Sequence, residues 1–374
     1  MQPLSDTIAR LAKLRAQPMH ASGSAATRLT ELVDFGSNPG ALGAYYHVPE
    51  GIAASAPLVV VLHGCTQNAA GYDLGSGWSQ LADRHGFIVL FPEQRRANNH
   101  NLCFNWFEPG DSRRDMGEPL SIVQMIDQLA KLHSVDRSRV YVTGLSAGGA
   151  MTSTMLATYP EMFAGGAIIA GLPYGSAAGV PQALERMRGR GEPDSGSLAA
   201  AIRAASPHAG PWPIVSIWHG TADHVVTPSN ADAILQQWLT THDIGGVPDR
   251  TDLVDGFPHR VWKDAEGRSV IEDYRITGLG HGTPLATKGE LACGQSGPHM
   301  LEAGISSTRQ IAAFWGLMDD ASSQIVDVAA PTRRPVKAVP LSTPEPEMAA
   351  AANANATGVG KVIEDALRAA GLMR

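Results

Sequence analysis

The apolar run Arg139 to Thr143 is followed at once by Gly144-Leu145-Ser146-Ala147-Gly148, and then by a helix-like stretch from Ala150 to Tyr159. A serine held between small residues at such a junction reads as a nucleophile elbow, in which a strand turns sharply into a helix. The small neighbours let the backbone bend there without a Cβ clash. The N-terminus of the following helix, and the backbone N–H of Ala147, then face the space where an oxyanion would form. The pattern therefore commits the chain to a strand whose carboxyl end opens into a helix, with Ser146 at the bend.

That junction is one of several. Strand-like runs recur at Leu58 to Leu62, Phe87 to Phe91, Ala167 to Ala170, Pro213 to Trp218 and Val270 to Thr277. Helical patterns lie between many of them, at Ser76 to His85, Pro119 to His133 and Ser229 to Thr241. Several runs are apolar without alternation, as parallel strands covered on both faces must be, so the predicted architecture is α/β with a mostly parallel central sheet. Leu32 to Phe35 and Ala41 to Val48, joined by Ser37-Asn38-Pro39-Gly40, predict a hairpin that adds an antiparallel N-terminal edge. Residues 171–210 break the rhythm with Gly, Pro and Ser around two short helical candidates, Pro181 to Arg188 and Ser197 to Ala205; a cap and a plain connecting excursion both fit.

The ends differ from the middle. Met1 to Gln17 sets Ile8, Leu11 and Leu14 among Arg10, Lys13 and Arg15, an amphipathic helix pattern without a secretory apolar core, so no export signal is visible and the reading is cytoplasmic. Residues 1–26 are read as this helix and a linker, 27–318 as the catalytic domain, and 319–357 as a flexible Pro- and Ala-rich linker. Residues 358–374 form a second amphipathic pattern, with Val362, Ile363, Ala366, Leu367 and Ala370 on one face.

Composition narrows the ligand. The net charge is -7 and no long Lys/Arg run occurs, which argues against nucleic acid or an anionic membrane as partner and leaves a neutral or small ligand. No apolar run approaches transmembrane length. Cys65, Cys103 and Cys293 have neither metal-site spacing nor the density of a disulfide scaffold, so no metal is expected; one bridge with a free thiol and three reduced thiols both remain open. Nothing in the composition speaks to oligomeric state.

A serine hydroxyl is a weak nucleophile, so Ser146 needs a base, and the base needs a group that fixes its tautomer. Asp223 stands in a turn after the strand ending at Trp218, and His281 in Gly278-Leu279-Gly280-His281-Gly282 after the last strand. Serine, acid and histidine in that order, each after a strand, make Asp223 the acid and His281 the base. His219 and His224 sit too close to Asp223 in sequence for the base role; His208, His242, His259 and His299 lack the strand-then-glycine context; Asp243 and Asp273 are fallback acids. Leu62-His63-Gly64-Cys65-Thr66-Gln67 follows an early strand, where the backbone N–H of Cys65 would join that of Ala147 as the oxyanion hole. Asn101 to Phe107 gathers three aromatics, and Trp106 is the candidate substrate-binding residue, with burial in the core as the competing role.

These strings, together with Phe163 to Gly175, resemble the polyhydroxybutyrate depolymerase family of esterases, relatives of the feruloyl and acetylxylan carbohydrate esterases. The resemblance runs from about Gly40 to Leu317. It implies an α/β-hydrolase fold, a triad of Ser146, Asp223 and His281, and hydrolysis of a short-chain polyhydroxyalkanoate or its oligomers without a cofactor. Carbohydrate esters are the alternative substrate, and a non-catalytic granule- or partner-binding protein is the rival of another class. Members with paired cysteines imply a bridge between Cys65 and Cys103. The resemblance also implies secretion, against the missing export signal, while the tail lacks the separate polymer-binding domain of secreted depolymerases.

Overall fold

The computed structural model describes residues 28–318, Glu192 excepted. The helices expected within residues 1–26 and 358–374, and the linker 319–357, lie outside the described residues. The strands are β1 (Thr30–Glu31), β2 (Gly43–His47), β3 (Ala56–Leu62), β4 (Ile88–Glu93), β5 (Val135–Leu145), β6 (Gly165–Ile169), β7 (Ile214–Gly220), β8 (Arg250–Val254), β9 (Phe257–Lys263), β10 (Ser269–Ile276), β11 (Thr283–Leu285) and β12 (Met300–Glu302). The helices are α1 (Ala69–Ser76), α2 (Trp78–His85), α3 (Gly117–Leu132), α4 (Ala147–Thr158), α5 (Val180–Met187), α6 (Ser195–Ala205), α7 (Ser229–His242) and α8 (Ser307–Phe314).

One 10-stranded sheet runs in the order β1-β2-β4-β3-β5-β6-β7-β10-β9-β8. From β4 to β10 neighbouring strands are parallel; β1 and β2 at one end, and β9 and β8 at the other, pair antiparallel. Alternation within β3 shows why its run is unbroken. Leu58, Val60 and Leu62 pack on one face with Ile122, Met125, Met151, Met155, Ile234 and Trp238, from α3, α4 and α7. Val59 and Val61 pack on the other with Tyr72, Trp78, Leu81 and Ile311, from α1, α2 and α8. A strand buried on both sides has no polar position, which is what the sequence records.

Two expectations need correction, and one pair of strands was not anticipated. The N-terminal edge is antiparallel, but its outer strand is Thr30–Glu31 rather than Leu32 to Phe35. Asp34 and Asn38 turn the chain through left-handed conformations, and the Asn38 amide ties off the loop against both backbone groups of Leu42. The single helix expected over Ser76 to His85 is two, broken at Gly77, whose φ is 75° and where a Cβ would come within 2.4 Å of the Gly294 amide. The antiparallel hairpin of β8 and β9 was not anticipated. Its first strand is charged and half-exposed, and its signal is the turn pair Asp255-Gly256, both with positive φ. In residues 171–210, α6 packs against α4 and α7, burying Leu198, Ala199 and Ile202.

Candidate active site

Ser146 joins β5 to α4 with φ 57° and ψ −115°, a sparsely populated conformation for a residue with a side chain. Its N–H donates to the Ile169 carbonyl at 2.9 Å, tying the bend to the neighbouring strand. The flanking glycines are sterically required. A Cβ on Gly144 would lie 2.4 Å from the Gly148 carbonyl oxygen, and one on Gly148 would lie 2.3 Å from that of Leu62. The elbow thus presses against the end of β3, where the expected oxyanion loop begins. Ser146 is 8% exposed, enough to present a hydroxyl to a ligand while remaining embedded.

Asp223 and His281 approach from the loops after β7 and β10. The Asp223 Oδ1 accepts the N–H groups of Val225 and Val226 at 2.9 Å each, and Oδ2 lies 2.7 Å from His281 Nδ1. A carboxylate can only accept, so the imidazole carries its proton on Nδ1 and turns Nε2 outward with a lone pair. Burial by itself would raise the Asp223 carboxyl; the hydrogen bond and charge of His281, then His219 and the Val226 N–H, outweigh it and hold the group below its ordinary value. Gly220 lets these loops meet, since a Cβ there would come 2.3 Å from the Leu279 carbonyl oxygen. The Thr221 hydroxyl accepts the Gly278 N–H at 2.9 Å. Among the described residues, no hydrogen bond yet joins Ser146 Oγ to His281; such bonds often tighten only around substrate.

The competing residues are occupied elsewhere. Asp273 is bound by Arg260 and Arg275, and Asp243 caps α7 in a left-handed turn. His208 and His242 bond to the carbonyls of Pro211 and Pro213, and His259 bridges Asp252 and Glu272. His219 bonds to the Val226 carbonyl at 2.9 Å and stands 3.5 Å from Asp223 Oδ2, behind the carboxylate. His299 reaches the His281 carbonyl with Nδ1 at 3.1 Å, bracing the histidine loop. Its part was not legible in sequence, because it depends on the pairing of β11 with β12.

On the opposite side, Cys65 and Cys103 form a disulfide, and the Thr66 N–H donates to the Asn101 carbonyl at 2.7 Å. Cys293 is free and buried. Cys65 and Ala147, the residues expected to supply the oxyanion N–H groups, stand three residues after the end of β3 and at the first position of α4. Beneath them Glu118, fully buried at the start of α3, accepts from Gln94 Nε2 at 2.6 Å and from the Asn105 N–H at 2.9 Å. Burial, and then the charge of Asp111, push its carboxyl well above the ordinary range. Sequence reading missed Glu118 and Gln94, which announce nothing until the fold brings them together.

The aromatic loop is less open than an exposed rim would be. Phe104 is fully buried, Trp106 is 8% exposed within the core cluster, and Phe107 meets it edge to face. Of the two roles weighed for Trp106, rim and core, its surroundings are those of the core, beside Phe107, with a narrow part still accessible. Among the described residues no group of three or more His, Cys, Asp or Glu could hold a metal ion, and no helix is long and apolar enough to cross a membrane.

Comparison with known proteins bears on the family and the fold. Residues 42–251 match the family described as Esterase PHB depolymerase. The chain is 46% identical over 316 residues to poly(3-hydroxyalkanoate) depolymerase C of Paucimonas lemoignei, covering 83% of this chain and 76% of that protein. It is 30% identical over 268 residues to feruloyl esterase B of Talaromyces stipitatus, covering 69% and 73%. An acetyl xylan esterase from Aspergillus awamori superposes with a TM-score of 0.66 at 24% identity, covering 78% of this chain and 99% of that one, and so shares the α/β-hydrolase fold. The chain belongs to the PHB depolymerase family of esterases and is a carboxylic ester hydrolase.

Proposed function

We propose that this chain hydrolyses the ester bonds of short-chain poly(3-hydroxyalkanoates) or their oligomers through an acyl-enzyme on Ser146. His281 Nε2 takes the Ser146 proton as Oγ attacks the ester carbonyl, and gives it to the departing alkoxide oxygen, which leaves as a hydroxyl end of the polymer. Asp223 fixes the tautomer that makes this transfer possible and stabilises the imidazolium that forms. The N–H groups of Cys65 and Ala147 hold the tetrahedral oxyanion. Water, deprotonated by the same histidine, then releases the hydroxy acid.

The observation that carries the substrate is the 46% identity to the poly(3-hydroxyalkanoate) depolymerase across 83% of the chain, against 30% for the feruloyl esterase. A side-by-side assay on 3-hydroxybutyrate oligomers, amorphous poly(3-hydroxybutyrate), methyl ferulate and acetylated xylan tests it. Release of 3-hydroxybutyrate with the largest kcat/KM is the expected result. Ferulate or acetate release without 3-hydroxybutyrate would overturn the polyester reading and leave the esterase intact.

A further inference from the structure

Gly297-Pro298-His299-Met300 makes a tight turn into β12, closed by two backbone hydrogen bonds of 3.0 Å between Gly297 and Met300. The third residue of the turn, His299, has φ 60°. With proline second and a left-handed third position, such a turn calls for glycine or asparagine there. A histidine in that place bears a steric cost that the surrounding structure has to offset.

From this strained position His299 holds the chain on both sides of Gly282. Its carbonyl accepts the Thr283 N–H at 2.8 Å, and its Nδ1 lies 3.1 Å from the His281 carbonyl oxygen. A carbonyl only accepts, so Nδ1 carries a proton and donates it. A Cβ on Gly282 would lie 2.6 Å from the His299 carbonyl oxygen, so the glycine that follows His281 is what admits this approach. The bond to Thr283 is backbone pairing of β11 with β12, which any residue could supply. The bond to His281 needs a side-chain donor of this reach. By holding the His281 carbonyl it restrains the backbone from which the proposed base projects, and the two imidazoles meet edge to face with ring centres 5.7 Å apart. Proton transfer needs Ser146 Oγ and His281 Nε2 to come within about 3 Å of each other, so a small rotation of the base is felt in the rate.

We infer that His299 is a positioning residue of the ester-cleaving site, its ring holding the His281 backbone so that Nε2 of His281 faces Ser146. The inference rests on the reading of His281 as the base. It predicts that the residue the turn prefers is not the residue the chemistry needs. His299→Gly suits the left-handed position and keeps the backbone bond to Thr283, but the donor to His281 is lost. His299→Asn also suits that position, and its amide N–H can stand where Nδ1 stood.

The test is kcat and KM of the wild type, His299→Gly, His299→Asn and His281→Ala on p-nitrophenyl butyrate, a soluble ester whose cleavage does not depend on the polyester reading, with rates normalised to folded protein. His299→Gly should lose kcat by about ten- to a hundred-fold, the scale on which a slight misplacement of a reacting group is felt, with KM little changed, and His299→Asn should recover most of it. A loss under about tenfold in His299→Gly, equal losses in both variants, or losses in KM rather than kcat would overturn the inference. A dead His281→Ala beside a fully active His299→Gly would remove the role of His299 alone; an active His281→Ala would remove the base reading beneath it. Independently of any variant, nitrogen NMR of the wild type should find the neutral ring of His299 protonated on Nδ1 and bare on Nε2. The opposite tautomer would contradict the inference even if both variants failed to fold.

Discussion

The side of the site built from β3 and the elbow is fastened by a disulfide, by glycines pressed against carbonyl oxygens, and by a buried network centred on Glu118. The side built from the loops after β7 and β10 carries no disulfide among the described residues; besides the close approach of Gly220 to the Leu279 carbonyl it is fastened by hydrogen bonds, chiefly Asp223 to His281, Thr221 to Gly278 and His299 to the His281 carbonyl. In the proposed mechanism the first side supplies fixed dipoles, whose work requires that they not move, and the second moves a proton, so its parts must be held yet able to change charge. The difference teaches that rigidity is placed where the transition state needs preorganised N–H groups, while the acid–base pair is held by a bond that strengthens as the histidine becomes charged.

Breaking the acid–base side without disturbing the other should have the largest effect. Asp223→Asn keeps the shape but lets the amide donate, favouring the wrong tautomer of His281. Turnover should fall by roughly ten-thousand-fold, as such a change does in a serine triad, with KM nearly unchanged. A loss of tenfold or less would show that His281 is oriented by other groups, such as His299.

Breaking the fixed side should instead appear first as stability. Glu118→Ala strips the acceptor from the Asn105 N–H and one of the two acceptors of Gln94 Nε2, which keeps the Cys103 carbonyl, in a fully buried setting. Unfolding free energy from urea titration should drop by about 3 kcal/mol, the cost of orphaned buried donors. A drop well under 1 kcal/mol would mean that water or rearrangement satisfies them.

The third effect concerns His63 and pH. Its folded value of about 4 lies below the ordinary 6.5, so between these the unfolded chain binds a proton that the folded chain refuses. Stability from this residue is full above 6.5 and is lost as pH falls toward 4, at ~1.4 kcal/mol per pH unit. Buried Glu118 and Glu272, shifted upward, act in the opposite sense, so the informative quantity is the difference between wild type and His63→Asn. That difference in slope should be close to one proton between pH 4.5 and 6; parallel curves would contradict a buried neutral His63.

How far the sequence reached follows the same division. The places of Ser146, Asp223 and His281 at strand ends were legible because each follows a strand at a turn whose glycines serve steric needs, and steric needs are local. The parallel strands were legible because burial on both faces leaves unbroken apolar runs. The β8 and β9 hairpin was not, since a one-sided edge strand such as Arg250–Val254 keeps its charges. Nor was the support under the oxyanion loop. His63, Gln94 and Glu118 act through partners 24 to 31 residues away, and their meaning lies in those pairings rather than in any spacing. Trp106 was read as half of a choice between rim and core, and the fold places it largely in the core.

Everything proposed for this site depends on Ser146 being the nucleophile. The most direct measurement combines fluorophosphonate labelling, with peptide mapping of the adduct, and hydrolysis of 3-hydroxybutyrate oligomers by wild type and Ser146→Ala. One label per chain on Ser146, and a loss of turnover on the order of a million-fold in the variant, is the expected result. A label on another residue, or near-normal hydrolysis by folded Ser146→Ala, would contradict the account.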